Sequence, residues 1–333
     1  MSVEEDHASK RARPNVGSAL KRGTPGPDYE KGVKYWEDIE ATVDGVLGGF
    51  GNGPVPHIEQ LSSRLFLLAV QPQLHTFASP LTPNPTARPP YRLTALDVGA
   101  GIGRVTNTVL LPLFDDVVVA EPVEHFVEEA YRAAVVGEWR EMPRLVGKIR
   151  DEAEAKENDR RVAEFRKGRG KRVWAVRAGL QHLDPSFPVR GVNNSSVGVV
   201  GEARDGTVDH FGEEEQEMHF DAIWCQWCLG HMTHDELVSF LRRAKASLRQ
   251  TPDMSDDDSS AYGPAVIIAK ENVCEDQPDG RANEFLDEED SSLTRSNGKW
   301  LEVFTEAGLK VVKEEVQHGM PDELFTVKTW ALC

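Results

Sequence analysis

The chain has 333 residues, a formal net charge of −17, 39% hydrophobic residues and four cysteines. The negative charge disfavours nucleic acid as the main partner, because an acidic surface repels phosphate. An acidic surface can instead attract basic peptides, or it can simply keep the protein soluble. No apolar run is long enough to span a bilayer, and the few cysteines do not form a disulfide framework, so we expect a cytoplasmic or nuclear protein that does not bind membranes.

The first 30 residues are rich in charge, glycine and proline. This composition predicts a disordered tail, followed by one domain over residues 31–333. The tail lacks the apolar segment of a secretion signal. Its two basic clusters match a bipartite nuclear-import signal or, more simply, a solvated tail. These clusters are Lys10-Arg11 with Arg13, and Lys21-Arg22.

A helical region is predicted before the main part of the domain. Tyr35-Trp36 leads into a Gly-rich loop at 42–53. Apolar residues at helical spacing then predict a helix from Ile58 to Val70. Residues 72–91 contain many prolines, which indicates a loop.

From Leu93 onward, short apolar strands alternate with helices. Such alternation predicts a mostly parallel sheet that is covered by helices on both faces. One helix has a clear start, because Thr233 is a suitable N-cap and acidic residues follow it. The strands are predicted at 93–98, 117–120, 173–177, 222–226, 265–269, 310–316 and 325–331, and the helices at 105–114, 123–136, 234–248 and 300–307.

Three polar stretches interrupt this alternation. Residues 138–170 are densely charged, residues 186–218 are polar and Gly-rich, and residues 250–262 are acidic and Ser-rich. Segments of this length without apolar periodicity are usually surface elaborations of a domain. We therefore predict three solvent-exposed insertions.

The clearest motif is LDVGAGIGR, from Leu96 to Arg104, which joins a predicted strand to a predicted helix. Glycines let the backbone approach a ligand closely. Glu121 ends the next strand, where a carboxylate can accept ribose hydroxyls. The glycine spacing differs from the dinucleotide pattern GxGxxG, and Asp97 suits a cationic sulfonium better than a pyrophosphate. These residues favour S-adenosylmethionine but leave NAD, and a purely structural turn, as alternatives.

Four longer segments resemble the eukaryotic protein N-terminal methyltransferases. Members of this family methylate the α-amine of proteins that begin Xaa-Pro-Lys once the initiator Met has been removed. The segments are YWEDIEATVDGVLGGFG (35–51), LDVGAGIGRVTNTVLLPLF (96–114), IWCQWCLGHMTHDELVSFLRRAKASLR (223–249) and GMPDELFTVKTWAL (319–332). The resemblance implies an α/β, Rossmann-like, class I methyltransferase fold. That fold has a seven-stranded, mostly parallel sheet with an N-terminal helical extension, and it uses S-adenosylmethionine as cofactor.

The resemblance also implies the residues of the site. At the position of Glu121 the family more often has aspartate, and at that of Phe325 it has tyrosine, so one peptide hydrogen bond is in question. The cofactor contacts are Gly99, Arg104, Glu121, Leu180 and Gln226, together with Gly101 of the glycine turn. The peptide contacts are Trp36, Leu47, Trp227, His231, Asn272, Asp287 and Asp290.

Methylation of an amine requires a base, because an α-amine with a pKa near 8 is largely protonated at neutral pH. His231 has a well-matched ordinary pKa, and burial can raise the pKa of an aspartate such as Asp290. We expect these two to act as a catalytic pair. Trp227 offers a flat face for a proline ring and Trp36 can line the methyl channel, although core packing is the simpler interpretation of each.

The remaining polar residues of the implied site can also contact the peptide. Asn272 can bond a peptide carbonyl, and Asp287 with Asp290 can hold the substrate lysine, unless their acidic run is only a solvated loop. Cys225 and Cys228 form a CxxC, but no fourth ligand is near in sequence, so we predict no metal site. A methyltransferase for another amine, a non-catalytic cofactor-binding adaptor and a dehydrogenase are the alternatives. We expect a monomer.

Overall fold

A computed structural model describes residues 26–75, 88–144, 147–201, 211–250 and 262–333. The predicted tail therefore lies outside the described residues as far as residue 25, and so does most of the insertion predicted at 250–262. In the part of the chain that is described, no helix is both long and apolar enough to cross a membrane.

Three helices precede the sheet, namely α1 (Tyr29–Glu37), α2 (Val43–Val46) and α3 (Val55–Val70). Asp28 caps α1, and Thr42 caps α2 by accepting a hydrogen bond from the Gly45 amide at 3.0 Å. A side-chain oxygen at this position satisfies a backbone amide that the helix leaves without a partner. The loop predicted over 42–53 was therefore wrong at its start, where the Thr42 cap forms a short helix.

The strands are β1 (Thr94–Val98), β2 (Asp116–Glu121), β3 (Arg172–Arg177), β4 (Ser195–Val200), β5 (Ala222–Gln226), β6 (Val266–Cys274), β7 (Glu284–Asp287), β8 (Ser292–Ser296), β9 (Val311–Val316) and β10 (Thr326–Leu332). Within the described residues they form one sheet in the order β4-β3-β2-β1-β5-β6-β10-β9, with β8 beside β6 and β7 beside β8. The five central strands are parallel, and β10 runs antiparallel between β6 and β9.

All seven predicted strands are present, which confirms the mostly parallel Rossmann-like sheet. Two additions were not predicted. β4 lies inside the polar stretch at 186–218 and pairs antiparallel with β3, so this stretch is not wholly a surface loop. The hairpin of β7 and β8 extends the sheet beside the end of β6 and carries the acidic run that contains Asp287 and Asp290.

Four further helices follow, namely α4 (Glu124–Val135), α5 (Glu152–Arg166), α6 (His234–Ala246) and α7 (Asn297–Glu306), and all of them except α5 pack against the sheet. Alternate residues of a strand point to opposite faces. Leu96 accordingly packs in a core cluster with Phe240 and Trp300, whereas Ala95 packs in a second cluster with Phe66. By contrast, α5 in the predicted insertion at 138–170 has no buried residue, as expected of a surface element.

The start of α6 allows a test of stability. Thr233 and Glu236 form a reciprocal capping box, in which the Glu236 carboxylate accepts from the Thr233 amide at 2.8 Å. We expect Thr233→Ala to lower the free energy of unfolding by about 1 kcal/mol in urea titrations. Thr305→Ala is the matched control, because Thr305 lies in the last part of α7 and caps no helix start. Equal losses in the two variants would contradict the assignment.

Candidate active site

The carboxyl ends of the central strands open onto a cavity of about 970 Å³, a volume that includes its open mouth. Ligands of open α/β sheets bind at this edge, where neighbouring connections leave on opposite faces. The structure therefore brings together most of the predicted site residues, both those expected to contact the cofactor and those expected to contact the peptide. Those that line the cavity are Trp36, Gly99, Gly101, Arg104, Glu121, Leu180, Gln226, Trp227 and His231.

The glycine turn forms the floor of the cavity. Its glycines are also required by contacts within the protein, in addition to any contact with a ligand. Gly99 has a φ of +59°, and a Cβ there would lie 2.4 Å from the Cβ of Cys228. A side chain at this position would thus displace the loop that follows β5. Gly101, with a φ of +56°, donates its amide to the Glu121 carboxylate at 2.8 Å. This bond ties the turn directly to the end of β2.

Two buried carboxylates lie beside this turn. Burial raises the pKa of Glu121 to about 7, against hydrogen bonds from the Val123 and Gly101 amides. Burial also raises the pKa of Asp97 to about 7, although the Thr106 hydroxyl donates to it at 2.6 Å. Carboxylates in so dry a place favour a ligand that brings positive charge or hydroxyl donors. The ends of β1 and β2 therefore suit a cationic nucleoside.

Gln226 supplies a donor at the end of β5. Its carbonyl oxygen accepts from the Trp224 indole at 3.0 Å, which fixes the orientation of the amide. Its Nε2 is buried and has no hydrogen-bond partner in the described part of the chain. A buried donor of this kind usually meets a partner when a ligand is bound. The geometry thus agrees with the predicted role of Gln226 in cofactor binding.

Arg104 is held by a residue that the sequence reasoning missed. Glu59 of α3 forms ion pairs with Arg104 and, at 3.0 Å, with Lys270 of β6. The Glu59 and Lys270 side chains have no exposed surface, and the Ser63 hydroxyl donates to the same carboxylate at 2.7 Å. A lysine inside an apolar strand was the available signal, because such a cation needs a buried partner. The predicted pairing of Arg104 with a cofactor carboxylate stays a prediction.

His231 lies on the short turn between β5 and α6. The Trp36 indole donates to His231 Nε2 at 3.3 Å, and Gln181 donates to the His231 carbonyl at 3.1 Å. The cap of α6 is Thr233, so His231 does not serve as the helix cap. Its imidazole instead faces the cavity between α1 and the glycine turn. The two sequence-predicted residues Trp36 and His231 therefore act as one unit.

A second, smaller cavity of about 300 Å³ shares Trp227 with the first. Trp227 has a φ of +56°, a strained conformation for a residue with a side chain, and its amide donates to the Lys270 carbonyl at 3.1 Å. Strain of this kind is often retained where a side chain must point into a site. The smaller cavity is otherwise lined by Leu47, Phe50, Val55, Asn272, Leu324, Phe325 and Val327.

Asp287 and Asp290 lie on the hairpin of β7 and β8 and line neither of these two cavities. Asp290 is half-buried, and its carboxylate accepts from the Ser292 amide at 3.0 Å. Burial raises the pKa of Asp287, whose carboxylate accepts from the Glu289 amide. The hairpin nevertheless reaches the site through its backbone, since the Asp290 carbonyl and the His231 ring enclose Gly32 of α1.

Helix α1 closes the cavity on the side of the hairpin. Its first residue, Tyr29, and Gly32 line the cavity together with Trp36. The Ser291 hydroxyl accepts from the Asp28 amide at 2.7 Å, and Lys31 donates to the Glu288 carbonyl. The helical region predicted after the tail begins two residues earlier than expected, because the predicted tail extended to residue 30 and α1 starts at Tyr29. The N-cap Asp28 was the signal that could have placed the helix start correctly.

Cys225 and Cys228 are both buried, and burial raises the pKa of each thiol well above its ordinary value. The Cys228 thiol donates to the Val98 carbonyl at 3.2 Å. A protonated, hydrogen-bonded thiol of this kind packs between the glycine turn and the His231 turn. The CxxC pair thus serves as packing beneath the site.

Comparison with known proteins shows the family to which this fold and sequence are similar. A family model described as AdoMet dependent proline di-methyltransferase matches residues 26–146 and 202–333. Alpha N-terminal protein methyltransferase 1 of Arabidopsis thaliana is 30% identical over 91% of this chain and 79% of its own. N-terminal Xaa-Pro-Lys N-methyltransferase 1 of Homo sapiens is 29% identical over 91% of this chain and 94% of its own. A SAM-dependent methyltransferase from Leishmania major superposes with a TM-score of 0.56 at 27% identity, covering 92% of this chain and 82% of that one.

The buried Glu59 gives a prediction with a defined pH dependence. Burial alone would raise the pKa of Glu59, but Arg104 and Lys270 lower it from 4.5 to about 2. Its stabilising effect is therefore complete above about pH 5 and is lost as the pH falls towards 2, for a total of about 3 kcal/mol. We expect Glu59→Gln to lower the free energy of unfolding by about 3–5 kcal/mol at pH 7, because two buried cations lose their counter-ion.

This difference between native and variant should shrink between pH 5 and pH 3 in denaturant titrations. Glu157→Gln is the matched control, because Glu157 also pairs with arginine but lies on the exposed helix α5. We expect that variant to change stability little at any pH. A difference for Glu59→Gln that stays constant with pH would contradict the buried ion pairs.

Proposed function

This chain belongs to the AdoMet-dependent proline di-methyltransferase family, and from that membership we propose that it methylates the N-terminal α-amine of proteins that begin Xaa-Pro-Lys after initiator Met removal. It is a methyltransferase with a class I fold, and its cofactor is S-adenosylmethionine. The names of its relatives support the acceptor. The structural observation that carries the proposal is the meeting of two cavities at Trp227.

The larger cavity fits the cofactor. When bound, S-adenosylmethionine supplies an electrophilic methyl group on a sulfonium sulfur. Glu121 would accept the ribose hydroxyls, and the buried Gln226 amide would donate to the nucleoside. Gly99, Gly101 and Leu180 would line the same side. The buried carboxylates of Asp97 and Glu121 favour the positive charge of a sulfonium over the negative charge of a pyrophosphate, which supports this cofactor over NAD.

We propose that the smaller cavity marks where the apolar start of the N-terminal segment contacts the protein; its lining is mostly apolar, and its volume of about 300 Å³ includes open solvent. We propose that the proline ring of the acceptor packs on Trp227 and Leu47, and that Asn272 bonds a peptide carbonyl nearby. Phe325 lines this cavity without the hydroxyl that the family has there, which leaves that contact purely apolar. The acidic hairpin with Asp287 and Asp290 would attract the substrate lysine.

Proton removal falls to the pair His231 and Asp290. The amine must lose its proton as its nitrogen bonds the methyl carbon and the carbon–sulfur bond breaks. His231 faces the cavity, and the Trp36 indole donates to its Nε2, so this nitrogen can receive the proton only when that hydrogen bond is released. The Asp290 carbonyl and the His231 ring both lie next to the position that a Cβ on Gly32 would occupy. We propose that the carboxylate and the imidazole together receive the proton, while Trp36 and Trp227 keep the amine in line.

We also propose that the enzyme is a monomer of the cytoplasm or nucleus that binds neither nucleic acid nor membrane. Its four cysteines are free thiols, which suits a reducing compartment. Its formal charge of −17 suits acceptors with a basic third residue better than phosphate backbones.

The proposal predicts that methyl groups are transferred to one atom of the acceptor, its N-terminal nitrogen. With S-adenosylmethionine, the purified protein should methylate a peptide that begins Ser-Pro-Lys, and tandem mass spectrometry should place every added methyl on the α-amine. The same peptide with an acetylated N-terminus is the control and should receive none, because its nitrogen has no available lone pair. Transfer to the lysine side chain, or only to another amine, would refute the assigned acceptor.

Asp290→Asn tests the base. We expect kcat to fall by about 10²–10⁴, the usual contribution of a general base, while the Kd of the cofactor in calorimetry stays within about threefold. Asp279→Asn is the matched control, because Asp279 is an exposed aspartate that pairs with Arg281. If Asp290→Asn keeps turnover within about threefold of the native value, His231 is the base and Asp290 is not.

A further inference from the structure

Arg295 of β8 is a buried cation whose partners are mostly backbone carbonyls. Its side chain has no exposed surface. It donates to the Met232 carbonyl at 2.6 Å and to the Leu229 carbonyl at 3.2 Å. The nearest carboxylate oxygen with which it pairs, on Glu284, lies 3.9 Å from its Nε. Burial lowers the pKa of Arg295 to about 10, so the guanidinium is still charged at neutral pH.

The two carbonyls belong to the turn that presents His231. Residues Leu229–His231 form one turn of 3₁₀-helix between β5 and α6. From its other side, the buried Glu271 carboxylate accepts from the Cys228 and Leu229 amides, each at 3.0 Å. Burial raises the pKa of Glu271 to about 7, so the turn is held between a partly ionised carboxyl group on its amides and a cation on its carbonyls. Charged groups make stronger hydrogen bonds than neutral ones, so this arrangement restricts the turn in two directions.

The same arginine joins the turn to the catalytic hairpin. Asp290 precedes Arg295 by five residues and lies in the turn that leads into β8, the strand that carries the arginine. The hairpin and the turn meet backbone to backbone, since a Cβ on Gly230 would lie 2.9 Å from the Leu293 carbonyl. Asp290 and His231 thus lie on separate elements, and Arg295 is a direct polar link between those elements.

Burying a charged side chain costs free energy, because the charge loses its hydration. Replacing buried ionic groups with apolar residues of similar volume is often neutral or stabilising, so stability alone gives little reason to keep a guanidinium here. Arg295 also lies over the Trp300 ring, 5.3 Å from its centroid, in surroundings that an apolar side chain could fill. Geometric control of the turn is a better explanation of the charge.

We propose that Arg295 is a positioning residue, which sets the distance between His231 and Asp290 by holding the His231 turn against the hairpin. The proposal rests on the proposed function for its catalytic part, but not for its effect on the turn. It assigns no contact between Arg295 and the substrate. The consequence is that loss of the guanidinium should lower kcat while leaving the cofactor side of the cavity intact.

The test compares Arg295→Met and Arg295→Lys with Arg172→Met as the matched control. Arg172 is also buried and paired with a carboxylate, but it lies at the opposite end of the sheet, and Asp116 keeps Arg92 when Arg172 is lost. With the Ser-Pro-Lys peptide, we expect Arg295→Met to reduce kcat by about 100-fold, with KM and the cofactor Kd changed by less than about threefold. Arg295→Lys should recover part of the rate, because an ammonium can still reach one carbonyl.

Hydrogen exchange of amides 228–232 supplies a measurement that needs no acceptor. We expect exchange about tenfold faster in Arg295→Met than in the native protein, and no change in Arg172→Met. A native rate of exchange in Arg295→Met would overturn the proposal, and so would equal losses of kcat in Arg295→Met and Arg172→Met. Should the native protein fail to methylate the peptide, the proposed function is wrong, while faster exchange confined to Arg295→Met still supports control of the turn.

Discussion

One buried carboxylate connects the three parts of the molecule that the site requires. Glu59 belongs to the N-terminal extension, Arg104 to the helical turn after the glycines, and Lys270 to the central strand β6. A charge without a partner is very unfavourable in a protein interior, so none of these elements can move away without leaving another charge uncompensated. The extension is therefore an integral part of the fold, and the cavity between it and the sheet keeps its shape.

The sequence predicted the features that depend on residues close together in the chain, within one strand, turn or helix start. Alternating apolar strands predicted the parallel sheet, because strands buried on both faces need apolar side chains at every position. Leu96–Arg104 and Glu121 predicted the cofactor side, since a turn and the end of the next strand are neighbours in any such sheet. The N-cap at Thr233 likewise marked the start of α6, because that hydrogen bond is local in sequence.

Features that depend on distant pairing could not be predicted in this way. β4 is short and half-exposed and lies within a polar, Gly-rich stretch, so its three valines did not identify a strand until its pairing with β3 was seen. Glu59 and Lys270 are 211 residues apart, and nothing local identifies either as the partner of the other. Asp290 and Trp36 came from resemblance to a family, and their placement beside His231 emerges only when α1 and the hairpin pack together. Long-range packing therefore decides the peptide side of the site.

Gly32 lies where α1 packs closely against both the His231 ring and the hairpin of β7 and β8. A Cβ on this residue would lie 3.2 Å from His231 Nδ1 and 3.3 Å from the Asp290 carbonyl. The space next to Gly32, between the imidazole and the hairpin backbone, thus leaves little room for a side chain. Any residue with a side chain here would have to push one wall outward by a few tenths of an ångström. The absence of a side chain at Gly32 therefore allows the His231 ring and the backbone of the hairpin to pack closely against α1.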